Sequence, residues 1–149
     1  MNDEEYIVSL CNIVLERLAS TQHRFCFLRG DKAIRQNGEI IEVLQEQGRK
    51  LPVDAYYREL NLVIEYLEIQ HFHPVPLFDN RITCSNVPRG EQRQIYDNRR
   101  RVRIPENGIC LIELHYTDFN HHANTGSLIR NEALDKLVIR RKLSQFLRN

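Results

Sequence analysis

The chain has 149 residues, of which 42% are hydrophobic and 28% are charged, and its formal net charge is +1 at pH 7. This length and composition favour one folded domain over residues 1–149 and argue against a disordered chain. The small net charge excludes a uniformly basic nucleic-acid binder, so any such role requires local clustering of cations.

No apolar run approaches the roughly 18 residues that span a bilayer, and the first residues, MNDEEY, are acidic where a secretory signal is basic. We therefore expect a cytoplasmic protein without a membrane partner. Cys11, Cys26, Cys84 and Cys110 form no Cys-x-x-Cys pair, and at least three of them fall in apolar segments. This spacing favours reduced, buried thiols over disulfides or zinc ligands.

The first third of the chain predicts a helix, a strand and an insertion. Apolar residues recur at helical spacing over residues 3–19, which predicts an amphipathic helix. The run RFCFL at 24–28 predicts a strand that ends in a turn at 29–31. Residues 31–50 show no sustained period and contain Asn37-Gly38, so we expect an insertion with a short helix there.

Two strands over residues 51–57 and 62–69 are expected to form a β-hairpin. A symmetric reversal about residues 58–61 would place Asp54 opposite Glu65 on one sheet face. Facing carboxylates need a cation or a shifted pKa, and Mg²⁺, or Mn²⁺ as a substitute, prefers such oxygen ligands. Two alternatives stay open. The turn lacks Asn-Gly or Asp-Gly, so a one-residue slip could separate the carboxylates, and an arginine could neutralise Glu65.

Three further groups that can bind metal or move protons follow Glu65 closely in sequence: Glu68, Gln70 and His71. An imidazole, with an ordinary pKa of about 6.5, suits a general base at neutral pH. Glu68 and Gln70 would supply a second metal ligand and a polar partner if Glu65 pointed into the core. Together with Asp54 and Glu65, these groups make the hairpin a candidate active site.

The rest of the chain predicts a long loop, a polar helix, a strand and a last helix. Prolines mark residues 71–90 as a long loop, and residues 91–102 read as a helix ended by Pro105 and the following Asn-Gly turn. The apolar run 109–114 predicts a strand covered on both faces, and residues 127–147 predict a helix. This order predicts an α/β (α+β) fold with a central mixed sheet flanked by helices.

Positive charge concentrates in and beside the polar helix, at Arg89, Arg93, Arg99, Arg100, Arg101 and Arg103. Guanidinium groups suit phosphate oxygens because they donate paired hydrogen bonds and release counterions. These arginines therefore predict a DNA-binding surface. The alternative is a solvated helix face that Glu91, Asp97 and Glu106 neutralise.

This order of elements resembles the α-β-β-β-α-β core of the PD-(D/E)XK nuclease superfamily, which has the restriction endonuclease-like fold. The residues are similar to its very-short-patch repair endonuclease branch: His71 follows Glu65 by six residues, and Asp97 precedes Gly108 by eleven. The similarity covers about residues 51–115. Leu67 stands where most of the superfamily has lysine, which the His-bearing branch replaces with an imidazole.

The resemblance implies a metal-dependent DNA endonuclease or nicking enzyme, acting as a monomer or homodimer. In this interpretation Asp54 and Glu65 hold Mg²⁺, His71 activates water and Asp97 orients His71. The missing lysine leaves open a noncatalytic nucleic-acid-binding or subunit module on a degenerate nuclease fold. A small-molecule phosphohydrolase using the same metal pair is a third interpretation.

Overall fold

The structure, a computed structural model, describes residues 1–72 and 81–147. Its helices in those ranges are α1 (Asp3–Leu15), α2 (Arg89–Glu106) and α3 (Glu132–Lys142). Its strands are β1 (Ser20–Arg29), β2 (Lys32–Gln36), β3 (Glu39–Leu44), β4 (Lys50–Tyr57), β5 (Leu62–Leu67) and β6 (Cys110–His115).

The larger sheet has four strands in the order β1-β4-β5-β6, and β2 and β3 form a separate two-stranded sheet. Strand β4 pairs with β5 antiparallel, whereas β5 pairs with β6 parallel. The larger sheet is therefore mixed, as the order of predicted elements indicated, and the fold belongs to the α+β class.

The chain contacts divide into two compact units, each described here by itself. The first unit comprises Met1–His23, Val53–Ile69 and Gly108–Asn149. The second unit comprises Arg24–Pro52 and Gln70–Asn107.

The core of the first unit consists of apolar side chains from α1, β4, β5, β6 and α3. Ile7, Leu62, Ile64 and Ile139 have no exposed surface, and burying each such side chain stabilises the fold by about 1.5 to 3 kcal/mol. Helix α1 ends before the predicted residue 19 because Glu16 adopts the left-handed conformation, with φ 53°. The last helix is also shorter than the predicted 127–147.

The β4–β5 hairpin has the symmetric register that the sequence predicted. Ala55 lies opposite Ile64, and Tyr57 lies opposite Leu62. A 3-10 turn joins the strands and ends at Asn61, which adopts the left-handed conformation with φ 47°. Asparagine tolerates that conformation better than most residues, so the turn closes without an Asn-Gly pair and the slipped register does not occur.

Strand β6 is less covered than its apolar run indicated. Only Leu114 of this strand is buried, and its other residues are half-buried. The physical reason is position, since β6 is the last strand in the sheet order and has one neighbouring strand.

The second unit contains a β-hairpin where a short helix was predicted, so that prediction was wrong. Strands β2 and β3 pair antiparallel, with Gln36 opposite Glu39. The connecting Asn37 and Gly38 both have positive φ, at 53° and 81°, which is the backbone of a two-residue hairpin turn. The Asn-Gly pair therefore joins two strands and does not interrupt a helix.

Helix α2 is longer than the predicted 91–102 at both ends. It begins at Arg89, and at its other end Pro105 lies inside the last turn and Asn107 forms the C-cap. Of the predicted loop at 71–90, residues 73–80 lie outside the described residues, and an isolated bridge joins Ile82 to Pro88. All four cysteines are free, and Cys11 is buried, but Cys26 is exposed, contrary to expectation. None of the described helices is long and apolar enough to cross a membrane.

Candidate active site

The first element of the candidate site is the carboxylate pair at the end of the β4–β5 ladder. The backbone pairing runs as far as Ala55 and Ile64. At the next position the Asp54 backbone N–H donates to Glu65 Oε2 at 3.0 Å, and the Tyr66 N–H donates to Asp54 Oδ2 at 2.7 Å. Two carboxylates thus take the place of backbone carbonyls, and the predicted closeness of Asp54 and Glu65 is confirmed.

Burial and mutual repulsion shape the charge of this pair. Glu65 is only 6% exposed, and Asp54 is half-buried. Burial is the largest cause that raises the pKa of Asp54 to about 8, followed by the negative charge of Glu65 and a hydrogen bond with it. Without a bound cation, Asp54 therefore holds a proton at neutral pH, whereas a cation beside it would favour the ionised form.

A third carboxylate, Glu4 of α1, hydrogen-bonds to Asp54. Burial and then the charge of Asp54 raise the pKa of Glu4 to about 7, while a hydrogen bond from Gln22 Nε2 at 2.9 Å opposes the rise. Glu4 and Asp54 both line a cavity of about 410 Å³ in the first unit. No signal in the sequence placed Glu4 at this site, because an acidic first turn marks a helix start without showing what lies beside it.

The donor atoms suit a hard cation, since carboxylate oxygens are the ligands that Mg²⁺ prefers. In the described part of the chain, however, no group of three or more His, Cys, Asp or Glu side chains is arranged to hold a metal ion. Magnesium commonly uses one or two carboxylates and completes its shell with water and substrate phosphate. Asp54 and Glu65 are compatible with that arrangement.

A separate imidazole–carboxylate pair lies within the second unit. His71 Nδ1 lies 2.6 Å from Asp97 Oδ2, which confirms the predicted pairing across 26 residues of sequence. The Asp97 side chain is 7% exposed and that of His71 is 24% exposed. A carboxylate at Nδ1 favours the tautomer with the proton on that nitrogen, so Nε2 carries the lone pair.

Glu68 and Gln70 were predicted as an alternative metal ligand and polar partner in place of Glu65. Glu65 accepts a hydrogen bond from the Asp54 backbone N–H, so it is Glu65 that lies beside Asp54. Gln70 Oε1 is buried and has no hydrogen-bond partner among the described residues. Because buried polar atoms are almost always satisfied, this oxygen is suited to accept a hydrogen bond from a water or a ligand.

Most arginines of the predicted DNA surface make contacts within the second unit. Arg99 Nη1 donates to Asp31 Oδ1 at 2.8 Å, and Arg103 donates to both oxygens of Glu46 at 2.6 and 2.8 Å. Of the carboxylates predicted to neutralise the arginines, Glu106 contacts Arg103, at 2.8 Å. The other partners of Arg99 and Arg103, Asp31 and Glu46, were not predicted.

Two further arginines contact backbone carbonyls. Arg100 donates to Pro52 O at 3.0 Å and lies 3.4 Å from Asp97, and Arg93 donates to Gln70 O at 2.9 Å. Arg89 and Arg101 are exposed. Arg101 donates to Asn98 Oδ1 at 3.3 Å within the same helix.

Comparisons with protein-family models, with curated proteins and with solved structures found no match for this chain.

Proposed function

We propose that the protein is a metal-dependent DNA endonuclease or nicking enzyme related to the PD-(D/E)XK superfamily. The observation that carries the proposal is the reciprocal hydrogen bonding of Asp54 and Glu65 at the end of the β4–β5 ladder. Carboxylates held on paired strands are fixed more precisely than carboxylates on loops. The hairpin thus presents oxygen ligands in a defined arrangement.

In the proposed reaction Asp54 and Glu65 would hold Mg²⁺. Bound there, the ion would polarise the scissile phosphate and lower the pKa of an attacking water. The two carboxylates supply the negative charge that the cation balances. Glu4, through its hydrogen bond to Asp54, helps to orient that carboxylate.

His71 is the proposed general base. Its Nε2 would take a proton from water, and Asp97 would hold the ring and stabilise the imidazolium that results. The 2.6 Å contact between Nδ1 and the Asp97 carboxylate supports this role. Arg89 and Arg101, both exposed, are the proposed contacts to the DNA backbone.

The test is nicking of supercoiled plasmid in Mg²⁺ by wild type, Asp54→Asn and Glu65→Gln. Glu59→Gln is the matched control, because Glu59 is an exposed carboxylate in the turn of the same hairpin. We expect the first two variants to lose nicking while their affinity for DNA stays similar or rises, and Glu59→Gln to nick like wild type. Equal nicking by Asp54→Asn and wild type would refute the metal role.

A noncatalytic nucleic-acid-binding module is the second candidate. It is favoured by Leu67, which stands where a catalytic lysine would be expected from the resemblance. A wild-type protein that binds DNA but never cleaves it in Mg²⁺ or Mn²⁺ would support this candidate against the enzyme.

A further inference from the structure

The second unit contains a cavity of about 760 Å³ whose rim is strongly basic. We call it the basic pocket. Five cationic side chains and one carboxylate, that of Asp31, line it. The cations come from both flanks of the β2–β3 hairpin and from the hairpin itself: Arg24, Lys32, Arg35, Arg49 and Lys50.

These cations have no neutralising partner in the described part of the chain. All five are exposed, and none forms an ion pair with a carboxylate there. Arg24 and Arg35 donate to the backbone carbonyls of Lys50 and Gly38, respectively. Backbone carbonyls carry no net charge, so these two contacts do not neutralise the cations of the rim.

The nearby acidic groups are neutralised by helix α2 instead. Asp31 is bound by Arg99 at 2.8 Å and by the Ser85 hydroxyl at 2.6 Å. These partners hold the pKa of Asp31 below its ordinary value, although burial opposes them. Glu46 is paired with Arg103 at 2.6 Å. The arginines of α2 thereby leave the rim cations available to an external anion.

The wall of the basic pocket is polar and closely packed. The Tyr96 hydroxyl accepts hydrogen bonds from the Asp31 backbone N–H at 2.9 Å and from Gln92 Nε2 at 3.0 Å. Gly30 and Gly48 permit this packing, because an added Cβ would lie 2.7 Å from the Tyr96 hydroxyl and 2.3 Å from Asp31 O, respectively. This part of the wall is therefore fixed in place by hydrogen bonds and close backbone approach.

We propose that the basic pocket binds the phosphate groups of a nucleotide. A cavity of about 760 Å³ lies within the range of small-molecule sites, about 300 to 1,000 Å³. Several convergent cations match an anion with more than one negative charge. Ala33, Leu51 and Pro52 add apolar surface for the non-phosphate part of the ligand. The source of the phosphate is a free nucleotide or the phosphorylated end of a nucleic-acid strand.

The test is calorimetric titration in EDTA with ATP, AMP and inorganic pyrophosphate. The variant is Lys32→Gln with Arg49→Gln, since both side chains are exposed and neither makes a side-chain hydrogen bond in the described structure. The matched control is Arg140→Gln with Arg141→Gln, which removes two exposed arginines of α3 outside this pocket. EDTA makes the result independent of the metal proposed for Asp54 and Glu65.

We expect wild type and the α3 control to bind ATP more tightly than AMP, and the pocket variant to bind at least about tenfold more weakly. Anisotropy with a short oligonucleotide bearing a 5′-phosphate or a 5′-hydroxyl identifies the source. A preference for the 5′-phosphate indicates a strand end, whereas binding of ATP alone indicates a free nucleotide.

Two results would overturn the proposal. One is equal binding of ATP by the pocket variant and the α3 control, which would place the phosphate elsewhere. The other is no binding of free nucleotides together with no preference between the two oligonucleotides.

Discussion

Replacing Asp54 with Asn should remove a pH-dependent loss of stability that the wild-type protein carries. The folded protein raises the pKa of Asp54 from 3.8 to about 8, whereas in the unfolded chain this carboxyl is expected to titrate at its ordinary value. Between these two pKa values the folded state holds a proton that the unfolded chain has released. Stability therefore falls as the pH rises through this window.

The magnitude follows from proton linkage. With these two pKa values, the contribution of Asp54 to the free energy of unfolding falls by about 3 to 4 kcal/mol between pH 5 and pH 8. Asn keeps an oxygen that can accept from the Tyr66 N–H, and its amide can donate toward Glu65. The variant should thus exceed the stability of wild type by a margin that widens by about 3 to 4 kcal/mol from pH 5 to pH 8.

The assay is urea unfolding at both pH values in EDTA, with Glu59→Gln as the control for loss of an exposed carboxylate in the same hairpin. The decisive quantity is the change in unfolding free energy from pH 5 to pH 8 in each protein. Wild type and Glu59→Gln should lose more stability than Asp54→Asn does. Equal losses in all three would refute the electrostatic account of the carboxylate pair.

Three further predictions follow from other contacts. His71→Asn should lower plasmid nicking about 10²- to 10⁴-fold, as expected for loss of a general base, while His122→Asn, which changes an exposed histidine, should nick like wild type. Arg99→Ala should cost about 3 to 5 kcal/mol by urea unfolding, because it leaves a buried carboxylate unpaired. Arg101→Ala, at an exposed position, should cost less than about 0.5 kcal/mol. Gly48→Ala should cost about 1 to 3 kcal/mol by the same assay, since its Cβ would lie 2.3 Å from a carbonyl oxygen; unchanged stability would contradict that packing.

The β4–β5 hairpin was predicted from local sequence patterns. Symmetry about the turn predicted Asp54 beside Glu65, and the structure has them there. Strand pairing across a short turn involves residues close in sequence, so the register follows from the pattern of side chains.

The Asn37-Gly38 pair was predicted to interrupt a helix, and that prediction was wrong. Both residues have the positive φ of a hairpin turn. This dipeptide between apolar residues is among the strongest short-range hairpin signals, so the β2–β3 hairpin was predictable from sequence.

By itself, the sequence predicted the mixed α+β arrangement and a symmetric β4–β5 hairpin with facing carboxylates, because these depend on periodicity and short-range pairing. The structure excluded the slipped register that the sequence left open. The tertiary structure decided which charges are neutralised: Arg99 finds Asp31 across 68 residues, and Arg103 finds Glu46 across 57. It also brought Glu4 to Asp54 and left the cations of the basic pocket without carboxylate partners in the described chain. Such partners are distant in sequence, and no local pattern encodes which of many similar arginines and carboxylates will meet.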